Sequence, residues 1–452
     1  MMGLERDLAL PVLPEKHGRL GRGRPLLAAF AALLCAAAAP AQNVTAIRDA
    51  TVLTMTGDTI RNGTVLIRDG KILDVGRGIP IPAGATTIDA RGKYVMPGLI
   101  DAMTYFGIRP ADRNDPSKPV TPENRIINAY APFSDFMGGR DVPDRRREVW
   151  SGGVTTIYIA PGDLQVIGGQ GAVVKTDGGP RAGTVLREPA SIDMTLGDAP
   201  KKNFAAKKQS PSTRMSEAAL IRKALVQAQE YRQEFARQKD KPGEGGAKRD
   251  PGNEALVMLL ERKLPARVQA DLADDIRTAL RLADEFGFDL VIDGGIGAHE
   301  LAGELAQRKI PVVLAPVSRT YMTEVEGGAS KELYAKANES SAAVLAAAGV
   351  ELAMASFGYS AGYTGSAWQG RWMLLEAAVA AGFGLPEEEA LKAVTIHPAE
   401  ILGIADRVGS IARGKDADLV VLDGPPLSPA TWVEKVFING SLVYEQRRPG
   451  RI

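Results

Sequence analysis

Residues 95–107 read VMPGLIDAMTYFG, a proline–glycine break followed by a mainly apolar run. The run at 99–104 has the length and composition of a short buried strand, and Pro97-Gly98 marks the turn that leads into it. Because side chains alternate along a strand, Asp101, Met103 and Tyr105 are expected on one face. A single strand therefore places a carboxyl, a thioether and a phenol group side by side.

From residue 99 to residue 355, short apolar segments alternate with amphipathic ones. The amphipathic segment 274–286 carries Ile276, Leu280 and Ala283 on one helical face. Strands alternating with helices predict an α/β fold with a parallel sheet, and about 300 residues accommodate a (β/α)8 barrel. The predicted strands are 99–104, 154–159, 172–175, 266–270, 290–293, 311–315 and 351–355.

Residues 200–253 interrupt this alternation. The segment 216–238 has the pattern of a long exposed helix with Leu220, Leu225 and Tyr231 on one side, and 239–253 is polar and rich in glycine. We predict a helical and flexible excursion from the barrel and no separate domain. The helix has two interpretations: it contacts a partner protein, or it folds back over the barrel wall.

Sequence rich in β-strand signals flanks the predicted barrel on both sides. Segments 64–75 and 418–443 contain alternating residues around two-residue turns. Neither end has enough strands to be stable by itself, so we expect both to pair into one small composite β-sandwich domain. The turn pairs are Asp69-Gly70, Asp423-Gly424 and Asn439-Gly440.

The N-terminus, residues 1–41, has the pattern of a secretory signal peptide. Three arginines precede an apolar segment at 26–39, and Ala39-Pro40-Ala41 fits a cleavage site. We therefore expect a mature chain that starts at Gln42 and is secreted to the periplasm. The single cysteine, Cys35, leaves with this segment, so the mature chain has no thiolate ligand or nucleophile.

Composition restricts the partner classes. The 452 residues are 45% hydrophobic and 24% charged with a formal net charge of +1, which gives no basis for nucleic-acid binding. Outside the leader there is no apolar run near the length that a membrane helix needs, so no membrane partner is predicted.

Five stretches together resemble the amidohydrolase superfamily, and in particular its secreted imidazolonepropionase-like branch. The resemblance implies a barrel at 96–407, a β domain built from 42–95 and 408–452, and hydrolysis of carbon–nitrogen bonds other than peptide bonds. The stretches are PGLID at 97–101, GGQGAVVK at 168–175, AVTIHPA at 393–399, GSIARGKDADLV at 409–420 and FING at 437–440.

The resemblance also implies a metal site whose ligands are missing here. The family holds one or two divalent metals with a His-x-His pair on the first strand, histidines on the fifth and sixth, and an aspartate on the eighth. The residues at those positions in this chain are Met103, Tyr105, Gln269, Gly294 and Phe357. We therefore predict a degenerate member, a pseudoenzyme with respect to the family reaction.

The small number of histidines in the chain agrees with this prediction. The chain has three histidines, and His17 lies in the leader, which leaves only His299 and His397. Two histidines do not make a site of the family type, and both are expected to have local structural roles. No cofactor is predicted, and zinc is not expected.

Several polar residues are nevertheless expected near the barrel mouth. Three interpretations of this cluster stay open: a network of paired buried carboxylates, a Ca²⁺ or Mg²⁺ site, and metal-free acid–base chemistry. The catalytic candidates are Asp101, Asp271, Asp293 and Lys175, and the candidate ligand-binding residues are Tyr105, Gln269 and Gln170.

Three functional hypotheses follow. The first is a degenerate amidohydrolase that binds a small-molecule ligand or substrate. The second is an active hydrolase with an unconventional carboxylate-ligand metal site or with metal-free acid–base chemistry. The third is a non-catalytic protein that forms a homo-oligomer or a hetero-oligomer with an intact amidohydrolase.

Overall fold

Two sheets organise the part of the chain that the computed structural model describes, namely residues 44–131, 146–177, 185–239, 248–316, 336–357 and 370–446. The predicted signal peptide lies outside these ranges. The composite sheet contains β1 (Val44–Val52), β2 (Ile60–Arg68), β3 (Lys71–Arg77), β4 (Thr86–Asp89), β5 (Tyr94–Pro97), β14 (Leu419–Leu422), β15 (Val433–Ile438) and β16 (Ser441–Glu445). The barrel sheet contains β6 (Leu99–Thr104), β7 (Val154–Ile159), β8 (Ile167–Lys175), β9 (Val185–Thr195), β10 (Ala266–Ala270), β11 (Leu290–Gly294), β12 (Val312–Leu314) and β13 (Leu352–Met354).

The composite sheet joins the two ends of the chain, as predicted. Its strand order is β16-β15-β14-β5-β1-β2-β3, with β4 beside β1, and β14 pairs antiparallel with β5. Ile47 and Val65 from the N-terminal strands share one buried cluster with Leu419 from β14. The turns at Gly70 and Asn439 touch, because a Cβ on Gly70 would lie 3.0 Å from the Asn439 carbonyl oxygen.

The barrel sheet has the predicted eight strands, in chain order from β6 to β13. One strand departs from the predicted alternation, because β8 runs antiparallel to both β7 and β9. Only residues 160–166 connect β7 to β8, which is too short for the crossover that parallel neighbours require. Strand β8 begins at Ile167, five residues before the predicted strand 172–175, and β9 was not predicted at all.

The barrel closes between its first strand, β6, and its last strand, β13. Residues 393–394 lie between these two strands, and we call this junction the seam. Ile100 of β6 donates its backbone N–H to the Val394 carbonyl at 3.0 Å, and Met354 of β13 donates to the Ala393 carbonyl at 2.8 Å. The AVTIHPA stretch thus supplies two backbone acceptors that would otherwise be missing at the seam.

Helices cover the outer face of the barrel sheet. In α5, Ile276, Leu280 and Ala283 are buried as predicted, and Gly287 ends the helix in the left-handed conformation with φ of 75°. The helices are α1 (Arg146–Ser151), α2 (Asp198–Ala205), α3 (Arg214–Lys239), α4 (Pro251–Leu260), α5 (Ala273–Phe286), α6 (Ala302–Gln307), α7 (Ser341–Ala347), α8 (Met373–Gly382), α9 (Glu387–Lys392) and α10 (Ile396–Ile401), with short 3₁₀ turns at Pro110–Asp112, Ile126–Ala129 and Ala298–Leu301.

Helix α3, the predicted excursion, folds back onto the barrel wall. Ile221, Leu225 and Ala228 are buried in the same apolar cluster as the outward-facing barrel residues. Tyr231 donates its hydroxyl to Glu254 of α4 at 3.3 Å, which ties the two helices together. Within the described ranges, no helix has the combination of length and apolar content that would span a bilayer.

Candidate functional site

A buried arginine lies inside the barrel, close to the end where the parallel strands finish, which we call the mouth. Arg267 of β10 donates from Nη2 to Asp293 Oδ1 at 2.7 Å and from Nε to Asp293 Oδ2 at 2.9 Å. Nη2 also donates to the Ala102 carbonyl at 2.8 Å. Burial, the largest single effect, would lower the pKa of Arg267, but the charges of Asp293, Tyr158 and Asp193 and the hydrogen bond to Asp293 together raise it. The arginine is therefore a permanent internal cation.

A tyrosine extends this network across the barrel. The Arg267 guanidinium lies 3.8 Å from the centre of the Tyr158 ring, and the Tyr158 hydroxyl donates to Asp193 Oδ1 at 2.6 Å. Burial raises the pKa of Asp193 to about 7, against the lowering effect of Arg267. A Cβ at Gly171 would lie 2.0 Å from the Tyr158 hydroxyl, so glycine is required there. We call Tyr158, Asp193, Arg267 and Asp293 the guanidinium network.

The candidate Asp101 takes part in the barrel seam. Its carboxylate accepts hydrogen bonds from the backbone N–H of Ser356 at 2.8 Å and from the Ser356 hydroxyl. Burial raises the pKa of Asp101 to about 6, and the two bonds from Ser356 oppose that rise. Asp101 thus ties β6 to the residue that follows β13.

The candidate Asp271, at the end of β10, has an acceptor that is not used. Its Oδ1 atom is buried and has no hydrogen-bond partner among the described residues. Burial raises the pKa of Asp271 to about 7, and the charge of Asp163 raises it further. A Cβ at Gly294 would lie only 2.3 Å from Asp271 Oδ1, so this carboxylate occupies the space that a side chain at position 294 would need.

Two loop residues that the sequence did not single out, Arg113 and Asp163, influence Tyr105 and Asp271. The guanidinium of Arg113 lies 4.7 Å from the centre of the Tyr105 ring. Burial raises the pKa of Tyr105 well above its usual value, and the charge of Asp163 adds to that rise. Neither the Tyr105 hydroxyl nor Arg113 Nε has a hydrogen-bond partner in the described ranges.

Apolar side chains fill the family's first-strand and eighth-strand positions. Met103 and Phe357 are both buried in the apolar cluster of the barrel interior. The Phe357 backbone N–H donates to the Met103 carbonyl at 2.9 Å, which fixes the two residues across the seam. Phe357 adopts a left-handed φ of 56°, a strained conformation for a bulky residue.

The prediction that Lys175 joins the mouth is wrong. Because β8 runs antiparallel, its last residue pairs with Thr156 near the start of β7, at the opposite end of the barrel. There the buried Lys175 Nζ donates to Asp416 at 2.8 Å, to Asp418 at 3.0 Å and to Asn439 at 2.6 Å. Lys175 links the barrel to the composite sheet.

The remaining candidates have structural contacts. Gln170 donates its amide N–H to the Pro122 carbonyl at 2.9 Å, and Gln269 is half-buried at the mouth, next to Asp293 in the strand register. His299 Nδ1 lies 3.1 Å from the Ile296 carbonyl, and His397 Nδ1 lies 3.1 Å from the Leu352 carbonyl. His299 thus has a local contact as predicted, whereas His397 contacts β13, which is distant from it in the sequence.

The residues at the family's ligand positions do not fit the family's metal. Methionine, phenol, amide, glycine and phenylalanine groups provide neither imidazole nor carboxylate, and the space beside Gly294 belongs to Asp271. Across the described part of the chain, no three histidine, cysteine or carboxylate side chains converge closely enough to hold a metal ion.

Comparison with known proteins agrees with this architecture. A profile of the Amidohydrolase family matches residues 300–443. The solved structure of an amidohydrolase from Thermotoga maritima MSB8 is 33% identical, superposes with a TM-score of 0.79, and is matched over 89% of this chain and 100% of that one. The chain belongs to the amidohydrolase family.

Matches to other relatives are partial. Amidohydrolase tasK of Hapsidospora irregularis is 27% identical over 421 residues, which cover 85% of this amidohydrolase but only 40% of tasK. The imidazolonepropionase of Thermoplasma volcanium is 40% identical over 67 residues, 14% of this chain and 17% of that protein. These partial matches do not assign an activity to the chain.

One missed site residue was within reach of the sequence. Arg267 precedes Gln269 and Asp271 at spacings of two and four, so strand alternation places all three on one face. Arg113 and Asp163 lie in irregular loops, where no periodicity predicts which side chain turns toward the mouth.

Proposed function

We propose that this amidohydrolase is a metal-independent member of its family that binds a small molecule at the barrel mouth and does not perform metal-assisted hydrolysis. The observation that carries the proposal is the guanidinium network. In the family, a divalent cation supplies the positive charge inside the barrel. In this chain Arg267 supplies a fixed positive charge, and its hydrogen bonds hold Asp293.

Electrostatics supports this assignment. Arg267 neutralises the buried carboxylate of Asp293 and lowers the pKa of Asp193 as well. A divalent ion bound to these carboxylates would lie beside a permanent cation in a medium of low dielectric constant, where like charges repel strongly. The network therefore satisfies the acidic groups without metal.

The apolar residues Met103 and Phe357 also support the proposal of a metal-independent protein. Metal-assisted hydrolysis needs a held water molecule and a base that accepts its proton. Met103 and Phe357 present no polar atom at the family positions for a metal ligand and for that base. This chain thus lacks both the metal electrophile and the base that the family uses for hydrolysis.

Elemental analysis of the purified mature protein, combined with activity assays, tests the proposal. We expect zinc, calcium and magnesium well below one ion per chain after dialysis. Amides, lactams and dipeptides should not be hydrolysed above background, with or without added metal. A content of about one zinc per chain, or hydrolysis that a chelator abolishes, would contradict the proposal.

The unpartnered oxygen of Asp271 favours a second candidate, which is metal-free acid–base catalysis. A carboxyl whose pKa is about 7 is able to exchange a proton near neutral pH, and no described hydrogen bond occupies its Oδ1. Hydrolysis that persists in chelator and is lost in Asp271→Asn, but not in Asp274→Asn, would establish this alternative. Asp274 is the matched control because it is an exposed aspartate on the same segment.

A further inference from the structure

Helix α8 has an apolar outer face, although it lies on the outside of the barrel. Its sequence, MLLEAAVAAG, contains a single charged residue, Glu376. Met373, Ala377 and Ala380 are buried in the apolar cluster that surrounds the barrel sheet. A surface helix normally carries charged and polar residues on its other face, whereas a helix that is apolar on all sides is normally covered on all sides. The outer face of α8 therefore lacks the composition of a solvated surface.

The exposed apolar residues form one stripe along α8. Trp372, Leu375 and Phe383 are exposed, and Val379 is half-buried. Spacings of three and four residues keep these side chains on one side of a helix. Glu376 donates its backbone N–H to the Trp372 carbonyl at 3.0 Å, and Phe383 donates to the Val379 carbonyl at 3.1 Å, so both flanking residues continue the helical path. We call Trp372, Leu375, Val379 and Phe383 the α8 stripe.

A groove lies beside the first half of the α8 stripe. Its volume is about 330 Å³, and Trp372 and Leu375 line it on the side of α8. Leu427 and Trp432, from the segment that leads into β15, line it on the side of the composite sheet. Large apolar side chains thus form both walls of the groove. Aromatic residues that enter pockets of this kind contribute much of the binding energy at protein interfaces.

The two ends of the α8 stripe carry opposite charges. Arg371 lines the groove at the first end, and its guanidinium lies 5.4 Å from the centre of the Trp372 ring. Beyond Phe383, the first turn of α9 contains Glu387 and Glu388, which are both exposed. Glu388 pairs with Lys392 at 2.7 Å, whereas Glu387 forms no ion pair with another described residue. The surface around the stripe is therefore positive at one end, apolar in the middle and negative at the other end.

We propose that the α8 stripe is a two-fold interface between two copies of this chain, in which the two α8 helices pack antiparallel. Phe383 and Leu375 are each four residues from Val379. A two-fold axis near Val379 therefore places Phe383 of each copy at the groove of the other copy. Arg371 and Glu387 are each eight residues from Val379, so the same axis brings them together twice.

The order of the charges selects this occupant and this orientation. A two-fold interface uses the same surface on both copies, so that surface has to complement itself. The α8 stripe meets this condition only when the helices are antiparallel, because a parallel arrangement would bring Arg371 against Arg371 and Glu387 against Glu387. The inference is independent of the proposed function, because it concerns the outer wall of the barrel.

Sedimentation equilibrium of the purified mature protein tests the interface. We expect the wild type to be a dimer at micromolar concentration, and Leu375→Glu and Phe383→Glu to be monomers, because each change buries a carboxylate in an apolar contact. Leu442→Glu is the matched control, because Leu442 is 48% exposed against 42% for Leu375 but lies on β16, outside the groove. It should remain a dimer, and circular dichroism checks that each variant is folded.

Charge exchange tests the antiparallel pairing. Arg371→Glu alone and Glu387→Arg alone should each weaken the dimer about tenfold or more, because like charges then meet at both ends of the interface. An equimolar mixture of the two variants should associate more tightly than either variant alone, since both contacts of the mixed dimer join opposite charges. Arg262→Glu and Glu261→Arg are the control pair, because both residues lie beyond α4, away from the groove.

Three results would overturn the inference. A wild-type monomer at that concentration would show that the α8 stripe is covered by another protein or by another part of this chain. A dimer that survives both Leu375→Glu and Phe383→Glu would place the contact between copies on a different surface. A mixture of the two charge variants that associates no better than its components would refute the antiparallel pairing.

Discussion

Asp271 and Gly294 show how two residues exclude the family site together. Gly294 has a φ of 84°, and a Cβ there would lie 2.3 Å from Asp271 Oδ1. A histidine at position 294 would require both a strained backbone and a displaced carboxylate. The absence of a histidine ligand at position 294 is thus coupled to the position of the Asp271 side chain.

Replacing Gly294 with histidine should therefore destabilise the protein and should not restore metal binding. We expect a loss of about 2 kcal/mol or more in the free energy of unfolding, measured by urea denaturation. Gly303→His is the matched control, because nothing lies within 4 Å of a Cβ at that position. A stable Gly294→His protein that takes up zinc would contradict this prediction.

Asp271→Asn should stabilise the ligand-free protein at pH 8 and change little at pH 4. The folded-state pKa is raised to about 7 from 3.8, so wild-type stability falls as pH rises between these values. Asparagine removes this penalty. We expect a gain of about 1–3 kcal/mol, less than the full shift implies because the side chain is half-buried. Asp274→Asn should stay within about 0.5 kcal/mol of wild type, and a loss of stability in Asp271→Asn at pH 8 would contradict the argument.

Arg267→Met should cost about 3–5 kcal/mol at pH 8, because it leaves the carboxylate of Asp293 buried without its cation. The cost should shrink as the pH is lowered, because burial raises the pKa of Asp293 and the carboxyl then takes up a proton more readily. Arg262→Met removes an exposed ion pair with Asp289 and should cost about 1 kcal/mol or less. Equal costs in the two variants, measured by urea unfolding, would show that the guanidinium network is unimportant.

At the scale of elements, β8 connects the two sheets. Lys175 Nζ reaches Asp416, Asp418 and Asn439 only because β8 runs opposite to its neighbours. Lys175 lowers the pKa of Asp416 against the effect of burial, so this carboxylate is ionised in the folded state and depends on its cations.

Lys175→Met should cost about 3–5 kcal/mol at pH 7 and should loosen the contact between the barrel and the composite sheet. The matched control is Lys71→Met, because Lys71 contacts the same Asp416 but its side chain is 50% exposed. That variant should cost about 1 kcal/mol or less. Hydrogen exchange should show faster exchange in β14 for Lys175→Met alone, and similar protection in both variants would contradict the predicted role of β8.

At the scale of the whole molecule, buried acids govern the dependence of stability on pH. Burial raises the pKa of Asp101 to about 6 and that of Asp193, Glu217 and Glu376 to about 7, in addition to Asp271. The folded state holds these protons more tightly than the unfolded state does. Stability should therefore fall as pH rises from about 4.5 to about 7.

Acids nearer the surface act in the opposite sense at lower pH. Hydrogen bonds and neighbouring cations lower the pKa of Asp115, Asp198 and Glu300, so stability is lost as pH falls below about 4. The ligand-free protein should thus be most stable between about pH 4 and pH 5. Urea unfolding at several pH values checks this, and a maximum at pH 7 or above would show that the buried acids are ionised at little cost.

Association with a second copy or with an intact amidohydrolase stays a prediction. The apolar face of α3 no longer supports that prediction, because it packs on the barrel and is not available to a partner.

Much of the architecture could be predicted from local pattern. Strands 99–104, 154–159 and 266–270 were predicted with the boundaries that the structure has, because apolar runs between turn residues depend only on neighbours in sequence. Strand β9 was missed because VLREPASIDMT carries charges and a proline that obscure the apolar alternation.

The sequence by itself determined the family fold, the shortage of histidine and the identity of the residues at the family ligand positions, because these follow from residue type and order. Only the tertiary structure decided which charges meet. The antiparallel direction of β8 moved Lys175 away from the mouth, the seam engaged Asp101, and Arg267 became the partner of Asp293. Burial and pairing depend on contacts between residues far apart in the chain, and no local pattern encodes them.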